Sequence, residues 1–356
     1  MAHGPADLGA HGSGRADREG GQLSTPAHDP AYYLEERYAT RKRAARSLTL
    51  YYRLKPLIPR RLQIAVRRAR ARRLLRRHGI DGRFPRWPIE TVLVDRHEAE
   101  APHWPAGHRF AYVLTHDVER AGGLAGIEPL LELEARHGMV SAWFLVGDDY
   151  PVETALLERL RAAGCEVGLH GLHHDGRLFE SRERFERELP GIHRRLHEWR
   201  ADGFRSPGAH RNADWMPELG CSYDSSFHDT DPFDAQPGGC CSILPYFLDE
   251  LVELPITLPH DFTLFELLRA PDITVWTEKA GWIADHGGLV NVLVHPDYAR
   301  TPERLRRYDE LLGFLAELPE GWHALPRDVA AWWRRRSAER DGSTVPPTAE
   351  EAHAHS

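Results

Sequence analysis

Cysteine is scarce: the 356 residues hold four, Cys165, Cys221, Cys240 and Cys241, with no C-x-x-C spacing among them. That argues against a disulfide framework and for a reducing compartment. No apolar run near the start could form the core of an export signal, and no stretch approaches the roughly 20 apolar residues of a membrane span. A cytoplasmic protein is expected, with peripheral contact at the inner membrane face open to it. Residues 1–30 nearly lack large apolar side chains and read as a disordered leader; 336–356 read as a tail of the same kind. Acid is missing altogether from Arg41 to Arg77, which hold 15 Lys/Arg. With −7 over the whole chain, the remainder carries −22, so a basic arm is joined to an acidic body.

What is present suffices for a sizeable core: 41% apolar residues and 10 Trp. Within the extension 31–90, Arg, Ala and Leu after Pro59 form a helix that Gly79 stops. Leu62, Val66, Ala69 and Leu74 give it a thin apolar stripe among arginines. Such a basic amphipathic helix packs on the acidic body, lies on an anionic membrane through residues 41–77, or touches nucleic acid, in that order of preference. Tyr51, Tyr52, Leu54, Leu57 and Ile58 suit either a lipid interface or packing. In the body, 91–335, β-rich runs at Arg109–Leu114, Ala142–Val146, Glu166–Leu169, Leu251–Ile256 and Leu289–Val294 alternate with helical patterns at Gly126–His137, Glu153–Ala163 and Arg182–Trp199. This alternation, without an internal repeat, predicts a parallel α/β sheet or barrel.

Polar clusters follow the strand candidates, where such sheets place their sites. FAYVLT leads to His116-Asp117-Val118-Glu119, EVGL to His170-Gly171-Leu172-His173-His174-Asp175, and VNVLV to His295-Pro296-Asp297. His170 and His174, four apart, share a face if the chain turns helical, and with a carboxylate they offer three ligands to a Zn²⁺-type ion. In a chain with 22 His, that spacing also arises by chance. His173 reads as a neighbour, His137 as a last-turn charge, and Trp332 and Trp333 as packing.

Five segments in order resemble the polysaccharide deacetylases, the NodB-homology domain of carbohydrate esterase family four: LTHDVE, SAWFLVG, EVGLHGLHH, GFRSPGAHR and LVNVLVHPDY. The resemblance spans about 105 to 330. It implies an irregular (β/α) barrel of about seven strands behind the N-terminal basic helical extension. It also implies Asp117 as general base, Glu119, His170 and His174 as metal ligands, Arg205 as partner of Asp117, the Gly208 N–H as oxyanion donor and His295 as general acid. The cofactor implied is a divalent metal, Zn²⁺ foremost, with Co²⁺, Ni²⁺ or Fe²⁺ able to use the same ligands.

Three departures stand out. Adjacent aspartates are replaced by Asp117 and Glu119, with Asp117 or Asp175 as substitute ligand should Glu119 not serve. Gly208 replaces an aromatic residue and brings His210 or Arg211 into reach of substrate. The carboxylate expected to support the arginine is sought among Asp224, Asp229 and Asp231. The expected activity is removal of an N-acetyl group from a sugar or polysaccharide precursor. Hydrolysis of a cyclic amide or ureide, or glycan binding without turnover, are the alternatives; nucleic-acid binding ranks last.

Overall fold

The computed structural model describes residues 30–37, 58–78 and 104–340; of the expected leader 1–30 and tail 336–356 only Pro30 and residues 336–340 are described, both in helices, and Tyr51, Tyr52, Leu54 and Leu57 lie outside the described residues. Among the described residues, nine strands form one sheet: β1 (Phe110–Val118), β2 (Ala142–Leu145), β3 (Glu166–Leu169), β4 (Gly203–Phe204), β5 (Tyr223–Asp224), β6 (Tyr246–Leu248), β7 (Leu251–Glu253), β8 (Leu289–Leu293) and β9 (Gly321–His323). Their order is β6-β7-β5-β4-β3-β2-β1-β8. Every pairing is parallel except the β6/β7 hairpin. The expected α/β barrel is borne out, with more and shorter strands than the seven anticipated, since β4 and β5 are two residues each.

β1 is long enough to use one edge twice. Phe110–Tyr112 pair with β9 and Thr115–Val118 with β2, while Ala111–Thr115 pair with β8 on the other edge. The sheet stays irregular where β7 faces β8. There Leu258 donates its N–H to Asn291 O, and Thr257 Oγ1 links to the main chain of Leu289 and Asn291.

Among the described residues, eight α-helices accompany the strands: α1 (Pro30–Leu34), α2 (Arg60–His78), α3 (Ile127–Arg136), α4 (Thr154–Ala162), α5 (Arg182–Glu198), α6 (Thr274–Asp285), α7 (Pro302–Glu317) and α8 (Pro326–Arg340). Side-chain alternation sorts β1 by face. Phe110, Tyr112, Leu114 and Val118 join the main core, whereas Ala111 and Val113 join a second cluster with Phe144, Tyr223 and Leu289. Thr115 and Asp117 continue that second row, so the interior turns from apolar to polar along the strand. Trp104 plugs the apolar end, stacked on Trp332 with Trp322 and Trp333 beside it. This makes Trp332 and Trp333 packing residues.

α2 forms where Pro59 and the run of Arg, Ala and Leu predict it, but its buried face is not the expected stripe. Ile64, Ala71, Leu74 and Leu75 pack on Phe233, Phe262 and Leu267. Leu62 and Val66 point outward, 54% and 57% exposed. The reason is polar as much as apolar: Arg68 binds the carbonyl and carboxylate of Glu266, and Arg67 stacks on Phe262. These contacts rotate the helix away from its aliphatic stripe.

Candidate active site

Asp117 lies on the interior face at the C-terminal end of β1, 3% exposed. Its Oδ1 accepts a hydrogen bond from Arg205 Nη1 at 3.1 Å, and its Oδ2 faces His170 Nε2 at 3.7 Å and His295 Nε2 at 4.0 Å. Arg205, just past β4, is itself held. It donates to Ser225 O and Oγ and to Thr115 Oγ1, and its guanidinium lies 4.4 Å from the Phe144 ring. Burial alone would raise the Asp117 pKa. The electrostatic influence of His170, Arg205 and His295, with the Arg205 hydrogen bond, outweighs it and holds the carboxyl below the ordinary aspartate range.

β3 delivers His170 into a turn through Gly171, whose φ of +65° suits a residue without Cβ. His170 Nδ1 lies 2.9 Å from the carbonyl of Arg205, which can only accept, so the proton sits on Nδ1 and the Nε2 lone pair faces the cavity. Four residues on, the His174 N–H donates to Asp149, which also holds His173 Nδ1 at 2.8 Å. His174 Nε2 then stands 3.6 Å from Glu119 Oε1, whose other oxygen accepts from Tyr298 Oη at 2.8 Å. The Glu119 N–H donates to Asp297, a carboxyl raised to about 6 by burial and by the Glu119 charge.

His295 follows β8. Its Nδ1 makes a 2.6 Å bond to Asp261, which also accepts the His295 N–H. Burial opposes its protonation, but the charge and hydrogen bond of Asp261, with Glu119 and Asp117 behind, raise its pKa to about 9. These groups open onto one cavity of about 260 Å³, whose lining also includes Pro207, Gly208 and His210, and Gln63, Ile64, Val66, Arg67 and Arg70 from α2.

Donor chemistry distinguishes the groups able to hold a metal. His170, His174 and Glu119 pair two imidazoles with a carboxylate, and the outer nitrogen of His170 is fixed by a carbonyl as in known metal sites. As they stand, these three do not bring one donor atom each within 4.8 Å of one another; among the described residues two different triads do, His228, Asp234 and His260, and His260, Asp261 and His295. In the first, His228 and Asp234 already bond at 3.0 Å and Arg67 stands 3.5 Å from the carboxylate, a charge that repels a cation. In the second, both oxygens of Asp261 serve His295.

The polysaccharide deacetylase family matches residues 111–219. The matched segment carries Asp117, Glu119, His170, His174, Arg205 and Gly208; His295 lies beyond it. No curated protein matches the chain. Among solved structures, one titled as a polysaccharide deacetylase from Mycobacterium smegmatis aligns over 70% of this chain and 96% of its own, at 21% identity and a TM-score of 0.55. Another so titled, from Pseudomonas aeruginosa PAO1, aligns over 71% and 98% at 18% identity and TM-score 0.54. An allantoinase aligns over 71% and 98% at 16% identity and TM-score 0.56. All three share the fold.

Some sequence expectations need correction. None of Asp224, Asp229 and Asp231 hydrogen-bonds Arg205; Ser225 and Thr115 do that, since Asp224 turns to Ser226 and Asp229 to Lys279. Asp175 pairs with Arg184 at 2.6 Å, away from the cavity. Arg211 is fully buried against Glu36 and unavailable to substrate, while His210 does line the cavity. Asp261, Tyr298 and Asp297 were missed as members of the site. Asp297 and Tyr298 sit in the HPDY segment itself, and their polarity directly after a buried strand was the available signal.

Proposed function

We propose that the chain is a metal-dependent hydrolase that removes an N-acetyl group from a sugar or polysaccharide precursor. The observation carrying this reading is the division of labour at Asp117, with Arg205 on one oxygen and His170 and His295 facing the other. Glu119, His170 and His174 would hold the ion, Zn²⁺ or else Co²⁺, Ni²⁺ or Fe²⁺. A divalent ion there supplies a Lewis acid that acidifies water and polarises a carbonyl.

The side chains account for the proton traffic. Asp117, kept ionised, takes the proton of the attacking water. Arg205 fixes its orientation and its charge. The N–H of Gly208, in a left-handed turn at the cavity wall, donates to the oxyanion. His295, protonated at neutral pH, gives its Nε2 proton to the leaving amine, without which an amine leaves poorly.

Acetate release from N-acetylglucosamine oligomers tests the reading. Asp117→Asn is expected to lower kcat by about 10²–10⁴-fold in protein shown by circular dichroism to be folded. Unchanged turnover would overturn the mechanism. Ring opening of a cyclic ureide without acetate release would move the same residues to the competing substrate class.

A further inference from the structure

The cavity's floor and rim differ in charge. Its carboxylates, Asp117, Glu119 and Asp234, are buried or half-buried, while the lining residues open to solvent are Val66, Arg70, Arg120 and Gly208. The rim thus carries two guanidiniums and no carboxylate. Among the described residues, neither the Arg70 nor the Arg120 side chain forms an ion pair or hydrogen bond, though the Arg120 charge acts on Asp297.

Arg70 also continues a helical stripe. Leu62, Val66, Arg70 and Arg73 follow one another at spacings of four, four and three along α2, so they share a face. Leu62 and Val66 are two of the three most exposed large apolar side chains among the described residues. The opposite face of the helix is pinned by Ile64, Ala71 and Arg68, so the ridge keeps its place beside the cavity. Exposed apolar surface leading to a cationic rim suits an amphiphile whose charge sits at the junction of its polar and apolar parts. Two guanidinium forks suit phosphate oxygens.

We infer that the substrate is a saccharide joined through phosphate to an apolar chain. Its sugar occupies the floor by Asp117 and His295, its phosphate meets Arg70 and Arg120, and its chain lies along Val66 and Leu62. The sugar's placement rests on the deacetylase reading; the phosphate and chain contacts rest on the rim alone.

Binding of geranyl phosphate to the full chain, followed by calorimetry, tests the rim without requiring turnover. Geranyl phosphate is expected to bind at least about tenfold more tightly than geraniol or inorganic phosphate. Arg70→Ala is expected to weaken it by about tenfold, and Val66→Gln to bring it toward inorganic phosphate. Arg76→Ala, exposed on the same helix but outside the cavity lining, is expected to change nothing. Wild-type binding by Arg70→Ala or Val66→Gln overturns the inference. So does an equal loss in Arg76→Ala, or binding to phosphatidylglycerol vesicles that weakens equally in Arg70→Ala and Arg76→Ala, since either means general attraction to the basic helix. Absence of acetate release from every sugar tested, with the Arg70 effect intact, overturns the deacetylase reading and leaves this one standing.

Discussion

His295 sits under opposed influences: burial favours its neutral ring, and the 2.6 Å bond to Asp261 favours the charged one. The charge wins, so its folded pKa is raised and the proton leaves only as pH climbs past about 9. Asp261→Asn removes the larger raising influence, and the alkaline limb of kcat/KM is expected to move toward lower pH. A pH profile checks this, together with a fall in kcat of about 10–100-fold from the loosened ring. Arg205→Lys is a harsher change than its charge suggests. Lysine keeps the cation but loses the fork shared among Asp117, Thr115 and Ser225 and the stacking on Phe144. Activity and melting temperature are both expected to drop, measured on the same preparation.

At the level of elements, the turn between β3 and His174 constrains the site. A Cβ on Gly171 would meet Pro207 at 2.8 Å, and its φ is left-handed. Gly171→Ala is expected to cost about 1–3 kcal/mol in denaturant melts and to displace His170 and Pro207 together. Much of this framework was legible beforehand. β1, β2, β3, β7 and β8 are apolar runs ending in polar clusters, and α3, α4 and α5 follow helical spacing closely. β4 and β5 were hidden because two residues carry no periodicity, and β9 because its residues are only half-buried. α7 had a readable signal in its Thr301 cap, Pro302 and the run Leu305, Leu311, Leu312, Leu315. The role of Asp261 had none, since only folding brings it to a histidine 34 residues away.

Over the whole molecule, buried charge links distant segments. Glu36 is 1% exposed and binds Arg211 through both oxygens, tying the segment 30–37 to the body 175 residues on. Glu36→Ala leaves that guanidinium buried without its partner, with an expected loss of about 3–5 kcal/mol in chemical denaturation. Asp224 and Glu253 form a second buried pair; burial raises both carboxyls, and the charge and hydrogen bond of Asp224 add to the rise at Glu253. The folded state therefore keeps protons that the unfolded chain releases. Its stability from this pair is fullest at low pH and declines as pH rises through the raised values, by about 1.4 kcal/mol per unit for each proton held. Glu253→Gln preserves an acceptor for the N–H groups of Ser226 and Phe227 and cannot ionise. Its melting-temperature advantage over wild type is expected to widen from about pH 5 to about pH 8. β1 has a consequence for biosynthesis. One of its edges waits for Leu289–Leu293 and part of the other for Gly321–His323, so the strand bearing Asp117 emerges from the ribosome long before its neighbours do. Until the last quarter of the chain is made, that apolar strand has to be shielded by chaperones or by its own nascent helices, and a truncated product would leave a sticky edge where the finished protein has a strand paired on both sides.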